Sequence, residues 1–200
     1  MKTSMLGAVS VALLMIFASP TFAQRRGHAP LGQRGGFLLQ TDADFGGDVI
    51  ATVDYDNDTS QDIRAGQGLA LSIGGWFRPI ESSAFEIQAS VGYKYEMALA
   101  SNADIHFSRT IMQLEALYRW PNGFYLGGGL MRHTGAKLSG DGFVDDVGFE
   151  DANGFNGEIG WRWIALHYDN IEYQDDFYGY EIDGSSVGLR FTWRPGERWF

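Results

Sequence analysis

Nine charged residues stand at positions that alternate with apolar or small neighbours: Glu86, Lys94, Glu96, Arg109, Glu115, Arg119, Glu158, Arg162 and Arg190. Alternation with a period of two puts such side chains on one face of extended strands. On a face shielded from water, charges of both signs pair with each other; only an open path would let them conduct ions. Asp54, Asp56 and Asp58, with Asp62 beyond, offer oxygen donors at calcium-loop spacing. Thr59 stands where that loop needs Gly and Ala65 where it needs Glu, so a solvated loop tip is the plainer reading. His133 and His167 are the imidazoles worth weighing for hydrolysis. His133 is followed by Thr134-Gly135, and His167 shares a strand face with Asp169, which would orient the ring. No sequence nucleophile stands near either, and the chain has no cysteine. The expectation is a protein that is not an enzyme and needs no cofactor.

The elements that must position these residues read as strands. From Ala84 to Met97, Phe85, Ile87, Ala89, Val91, Tyr93, Tyr95 and Met97 alternate with Glu86, Gln88, Ser90, Gly92, Lys94 and Glu96. A soluble strand runs about five or six residues. A strand that crosses a bilayer at a tilt needs about 9–11 and an apolar outer face. Seven more strands follow from the same pattern. The first runs from Phe37, less regularly, to about Val53. The second turns Leu69, Leu71, Ile73, Gly75 and Phe77 outward, opposite Gly68, Ala70, Ser72, Gly74 and Trp76. The fourth runs from His106 to Trp120 and the fifth from Phe124 to about Lys137. The sixth carries Phe155, Ile159, Trp161 and Trp163 outward, with Glu158 and Arg162 inward. It turns near Ile164 into a seventh whose phase is ambiguous at Asp169-Asn170, where a bulge is expected. The eighth is Ser185 to Trp193. The fold class is all-β, an eight-stranded antiparallel up-and-down transmembrane β-barrel spanning 36–194.

The N-terminus agrees. Lys2 precedes an apolar run from Met5 to Ala18, broken by Ser19-Pro20 and followed by the small-residue site Thr21-Phe22-Ala23. That order is a signal peptide, 1–23, cut near Ala23. Residues 24–35 read as a flexible periplasmic lead and 195–200 as a periplasmic tail, and the localisation is the outer membrane. With Lys2 removed, the 15 basic residues become 14 against 25 acids, net −11. That balance excludes nucleic acid as a partner. Overall hydropathy is slightly negative, as expected when half of every strand faces a polar interior.

Links alternate long and short, which sorts the two rims. The four long loops, 54–62, 99–105, 139–152 and 172–184, hold 15 of the 25 acids and no Lys or Arg. Hard divalent cations are the natural bridge between such carboxylates and lipid phosphates. All six tryptophans (Trp76, Trp120, Trp161, Trp163, Trp193, Trp199) fall at the short-turn end, where an indole suits the headgroup level. Arg132 continues the outward set Leu126, Gly128 and Leu130 near the outer rim, a place for a guanidinium to grip a lipopolysaccharide phosphate.

Ser186-Val187-Gly188-Leu189-Arg190-Phe191-Thr192-Trp193 resembles the C-terminal recognition signal of outer-membrane barrels. Ser186, Gly188, Phe191 and Trp193 match its polar, small and aromatic positions, although the chain continues to Phe200. Residues 36–200 resemble the small eight-stranded outer-membrane proteins, the group of OmpA-type transmembrane domains and OmpW. The resemblance implies the barrel-assembly machinery, membrane lipid and lipopolysaccharide as partners, and a monomer. It implies envelope stabilisation or contacts through the acidic loops. The alternatives are an OmpW-like conduit for small apolar molecules and, behind it, a lipid-A-modifying enzyme. Outer-membrane lipid hydrolases and acyltransferases use a barrel His with a Ser, and no His-x-Ser-Asn segment occurs here.

Overall fold

The structure is a computed structural model and describes residues 34–54, 60–80, 84–97, 105–140, 142, 145–177 and 179–196. The expected signal peptide, most of the expected lead and the end of the expected tail lie outside the described residues, as do Asp56, Asp58 and the side chain of Asp54.

Among the described residues there are twelve strands, in chain order β1 (Gly35–Phe45), β2 (Val49–Asp54), β3 (Ser60–Arg64), β4 (Gly68–Phe77), β5 (Phe85–Met97), β6 (His106–Arg119), β7 (Phe124–Ser139), β8 (Val147–Gly148), β9 (Ala152–Trp161), β10 (Ile164–Gln174), β11 (Glu181–Asp183) and β12 (Ser186–Trp193). Eight of them pair in the order β1-β4-β5-β6-β7-β9-β10-β12, and β12 pairs back onto β1. Every pairing is antiparallel, so the wall is a closed up-and-down barrel with no free edge. Closure removes the row of unpaired backbone groups that an open sheet edge would present, which is the condition for a sheet to sit in hydrocarbon.

Burial follows the alternation. In β5, Glu86, Gln88, Lys94 and Glu96 are buried while Phe85, Ile87, Val91 and Tyr93 are exposed. In an eight-stranded barrel the buried set fills the lumen and the exposed set forms the outer belt. Phe37, Leu69, Ile73, Leu130 and Phe155 are each more than half exposed on that belt. An exposed apolar belt of this kind is a surface built to meet an apolar environment or a partner.

The strands differ from the sequence expectation in three places. The first wall strand ends at Phe45, not near Val53, because Gly46 and Gly47 take positive φ values of 135° and 81° and turn the chain over the barrel mouth. A Cβ on Gly46 would stand 2.7 Å from the Ser185 carbonyl oxygen, so only glycine fits that turn. The segment that extends the apolar alternation becomes β2, which pairs with β3 in a separate hairpin. Second, β10 keeps one register against β9 and β12 through Asp169, without a bulge. The irregularity lies in β7 instead, where the register with β6 slips between Ser108 and Thr110, and Gly135 takes φ 60°. Beyond it Ala136 and Leu138 turn inward and Lys137 outward.

Third, Trp76 keeps the inward phase expected for its strand and so stands apart from the headgroup-level indoles among which the sequence counts it. It is 5% exposed and lies inside, under the guanidinium groups of Arg78 (4.8 Å) and Arg194 (5.2 Å). Trp120, Trp161, Trp163 and Trp193 do face outward at the end that carries the tight turns. Trp199 lies outside the described residues.

The far end of the lumen is closed by hydrocarbon. Val53 and Ile63 of the β2–β3 hairpin pack with Phe107, Met131, Leu138, Phe149, Ile171 and Tyr173 from the strand extensions above the wall. Rings of Phe107, Phe149 and Tyr173 meet edge-on or tilted at 5.5–6.0 Å. The interior is therefore layered, with an apolar cap at the loop end and charge below it.

Candidate functional site: the ionic lumen

The middle layer is organised by Arg190. It lies on β12 directly opposite Asp42 of β1, across the seam that closes the barrel. Its Nε donates to Asp42 Oδ1 at 2.9 Å and Nη2 to Oδ2 at 3.3 Å, a two-pronged pair. Nη1 donates to Glu115 Oε1 (2.8 Å) and Glu158 Oε2 (3.2 Å), and Nη2 also donates to Gln113 Oε1 (3.0 Å). Gln88 Nε2 and Asn156 Nδ2 each donate to Glu115 at 2.7 Å. One guanidinium thus holds three carboxylates from β1, β6 and β9, and two amides supply the remaining donors.

Toward the turn end, Glu86 accepts from three arginines: Arg194 Nη2 at 2.6 Å, Arg78 Nε at 3.1 Å and Arg119 Nε at 3.2 Å. Arg119 also stacks on Tyr125 at 4.2 Å. Toward the loop end, Lys94 Nζ reaches Asp44 Oδ2 (2.6 Å) and the Gly66 carbonyl (2.7 Å). His167 Nε2 lies 2.7 Å from Asp44 Oδ1. Arg109 Nη2 donates to the Gln67 carbonyl at 2.9 Å and its guanidinium lies over Phe107. Glu96 Oε2 accepts from the Arg64 backbone N–H at 3.3 Å. His133 Nδ1 pairs with the Tyr173 hydroxyl beneath the cap.

Eight of the nine residues read from the sequence as lumen charges lie inside: Glu86, Lys94, Glu96, Arg109, Glu115, Arg119, Glu158 and Arg190. Arg162 does not. The β9–β10 link is a two-residue turn, Arg162-Trp163, and Arg162 takes φ 56° within it. Its guanidinium covers the outward Trp161 ring at 4.6 Å. The alternation was carried one residue too far, through a turn too short to interrupt it.

Sequence reasoning passed over Asp42, Asp44, Arg78 and Arg194. The signal for three of them was present: Gln40, Asp42 and Asp44 alternate with Leu39, Thr41 and Ala43, and Arg194 continues the inward series Ser186, Gly188, Arg190 and Thr192. Within the C-terminal segment, Ser186 and Gly188 face inward, and Phe191 and Trp193 face outward, with Phe191 stacked on Trp163 at 5.7 Å.

At the outer rim, Arg132 and Lys137 project outward from β7 and are half-exposed. Arg132 pairs with Asp151 at 2.8 Å and Lys137 with Asp146 at 2.7 Å. Arg64 adds a contact to Asp62 at 3.4 Å. The long loops themselves carry no cation, but adjoining strands supply three, so the acidic crown is partly neutralised from below. The Lys137 ammonium, with the Gly140 backbone N–H, holds the Asp146 carboxyl below its ordinary value.

The closed register defines a small eight-stranded antiparallel up-and-down barrel. No protein-family model matches the sequence, and no curated protein matches it either. Among solved structures, the chain is similar to two of one protein. One is Ail, the attachment invasion locus protein of Yersinia pestis, with 11% identity, a TM-score of 0.44, and coverage of 81% of this chain and 99% of that one. The other is the same Ail protein in complex with the heparin analogue sucrose octasulfate, with 12% identity, a TM-score of 0.40 and the same coverage.

Proposed function

We propose that this protein is a non-enzymatic outer-membrane β-barrel that works through its outer surface and its fit in the envelope, not through its lumen. The observation that carries this reading is the Arg190 knot. One side chain makes five hydrogen bonds, two to Asp42 on the adjacent β1 and three that reach across the lumen to β6 and β9, and an apolar cap lies above them. Such packing opposes a conduit for apolar molecules or ions. Both imidazoles are buried in the lumen, His133 and His167 each 2% exposed, out of reach of membrane lipid, which supports a non-hydrolytic role.

In this reading the belt sits in the outer membrane, with Trp120, Trp161, Trp163 and Trp193 at the periplasmic headgroups. Arg132, half-exposed on the outward face, contacts lipopolysaccharide phosphate in competition with Asp151. Divalent cations bridge the outer carboxylates to the same phosphates. Ser186, Gly188, Phe191 and Trp193 are read by the barrel-assembly machinery, and the protein acts as a monomer after cleavage near Ala23. Two measurements test the core of the proposal together. The protein should fractionate with outer membranes in a form that resists SDS until boiled, and planar bilayers containing it should show no steady conductance. Recovery in the soluble periplasm overturns the location, and sustained channel currents overturn the closed lumen.

A further inference from the structure

Above Arg190, the lumen holds donors that the ion-pair network leaves partly unused. His167 Nε2 lies 2.7 Å from Asp44 Oδ1 and 3.8 Å from Asp169 Oδ2. The three donor atoms fall within 4.8 Å of one another, on side chains that are all buried. No other such trio occurs among the described residues. Asp44 on β1 and His167 on β10 do not belong to neighbouring strands, since β12 runs between them. Both are in register with Gly188 of that strand. A Cβ at 188 would collide with Asp44 Oδ1 and stand 2.8 Å from His167 Cε1. The missing side chain is what lets the carboxylate and the imidazole meet.

Two further features point to a ligand. Asp169 Oδ1 is buried without a hydrogen-bond partner, and so is the hydroxyl of Ser186, the residue directly across from Asp169. Unpaired buried oxygens of this kind are costly, and a cation satisfies them. Lys94 meanwhile holds the other oxygen of Asp44 at 2.6 Å and is itself fixed by the Gly66 carbonyl. That contact orients the carboxylate and leaves Oδ1 turned toward His167, the kind of supporting bond that fixes a metal ligand.

We propose that Asp44, His167 and Asp169 bind a divalent first-row transition ion of the zinc type. One imidazole and two carboxylates suit such an ion, and the nitrogen donor disfavours calcium and magnesium. The two carboxylates match the charge of the dication, while Lys94 keeps its contact to the other oxygen of Asp44 and to the Gly66 carbonyl. The rival occupant is a proton on His167, which would make an imidazolium held by Asp44. The site lies between the Arg190 knot and the apolar cap, so the ion enters before the barrel closes.

The test is refolding of the purified protein into detergent with zinc alone or with chelator, followed by desalting and elemental analysis. The folded fraction is read by its boiling-dependent gel mobility. The expected result is about one zinc per folded chain, with a higher unfolding temperature than the chelator-refolded form, because binding is coupled to folding. His167→Asn and Asp169→Asn should retain about a tenth of that zinc or less. If the variants do not fold, the wild-type comparison still decides. Zinc-refolded protein that keeps no zinc, or folded variants that keep as much as wild type, would overturn the site and leave a protonated His167–Asp44 pair.

Discussion

Asp42 and Arg190 face each other across the seam between the first and last wall strands, joined by hydrogen bonds of 2.9 and 3.3 Å between side chains 148 residues apart. The barrel is thus closed by backbone pairing and by a buried ion pair at the same register position. Removing the cation leaves Asp42, Glu115 and Glu158 buried without their shared partner. Arg190→Ala is therefore expected to cost about 3–5 kcal/mol, the usual penalty for breaking a buried pair. Urea unfolding in detergent, followed by gel mobility, measures it. A loss well under about 1 kcal/mol, the scale of an exposed pair, would mean that water fills the middle layer.

Phe191 and Trp193 face outward while Gly188 faces inward, so the two halves of the C-terminal pattern can be separated. Phe191→Ser with Trp193→Ser should abolish assembly in cells yet still allow refolding into detergent, since neither side chain touches the lumen network. Gly188→Val should fail in both settings, because its side chain would occupy the space of Asp44 Oδ1. Wild-type membrane levels of the double variant would move the assembly signal elsewhere, toward Phe200.

Indole positions offer a direct test of which face meets lipid. Variants that retain one tryptophan each, refolded into vesicles of brominated lipid, should show strong quenching of Trp193 and Trp163. Trp76 should be protected, since it lies inside beneath Arg78 and Arg194. Quenching of Trp76 equal to that of Trp193 would put β4 out of phase.

The Lys137–Asp146 contact makes the rim sensitive to acid. The carboxyl is held below its ordinary value of 3.8, chiefly by the hydrogen bond from Lys137. A lowered folded value means that the contact contributes fully above 3.8 and is lost as acidification carries pH through the lowered value. Lys137→Gln should return the Asp146 titration, followed by carboxyl NMR, toward 3.8. An unchanged titration would leave the Gly140 N–H and the Ser139 hydroxyl as the causes.

Much of this architecture could be read from alternation alone, because a closed barrel imposes one rule on every wall strand. β5 and β6 carry no interruption, and their inward and outward sets match the sequence pattern residue for residue. The rule fails where the chain leaves the wall without breaking its period. Val49, Ala51 and Val53 continue the apolar rhythm after Gly46-Gly47, so the cap hairpin looks like more of strand one. Arg162 keeps the inward phase through a two-residue turn. Gly135 shifts the phase in β7 with nothing in its neighbours to announce it. The partners of the charges were less legible than their positions. That Arg190 reaches Asp42, Glu115 and Glu158 depends on register and tilt, which a pattern along one strand does not contain.

The cap hairpin sits early in the chain, between β1 and β4, yet it packs on residues made much later. Tyr173 lies 110 positions beyond its packing partner Ile63. Contacts so distant along the chain form slowly, since a long loop must close before they repay it. The lid therefore cannot be complete until the last quarter of the polypeptide is in place. The order of events, not a hinge, is what decides when the vessel is sealed.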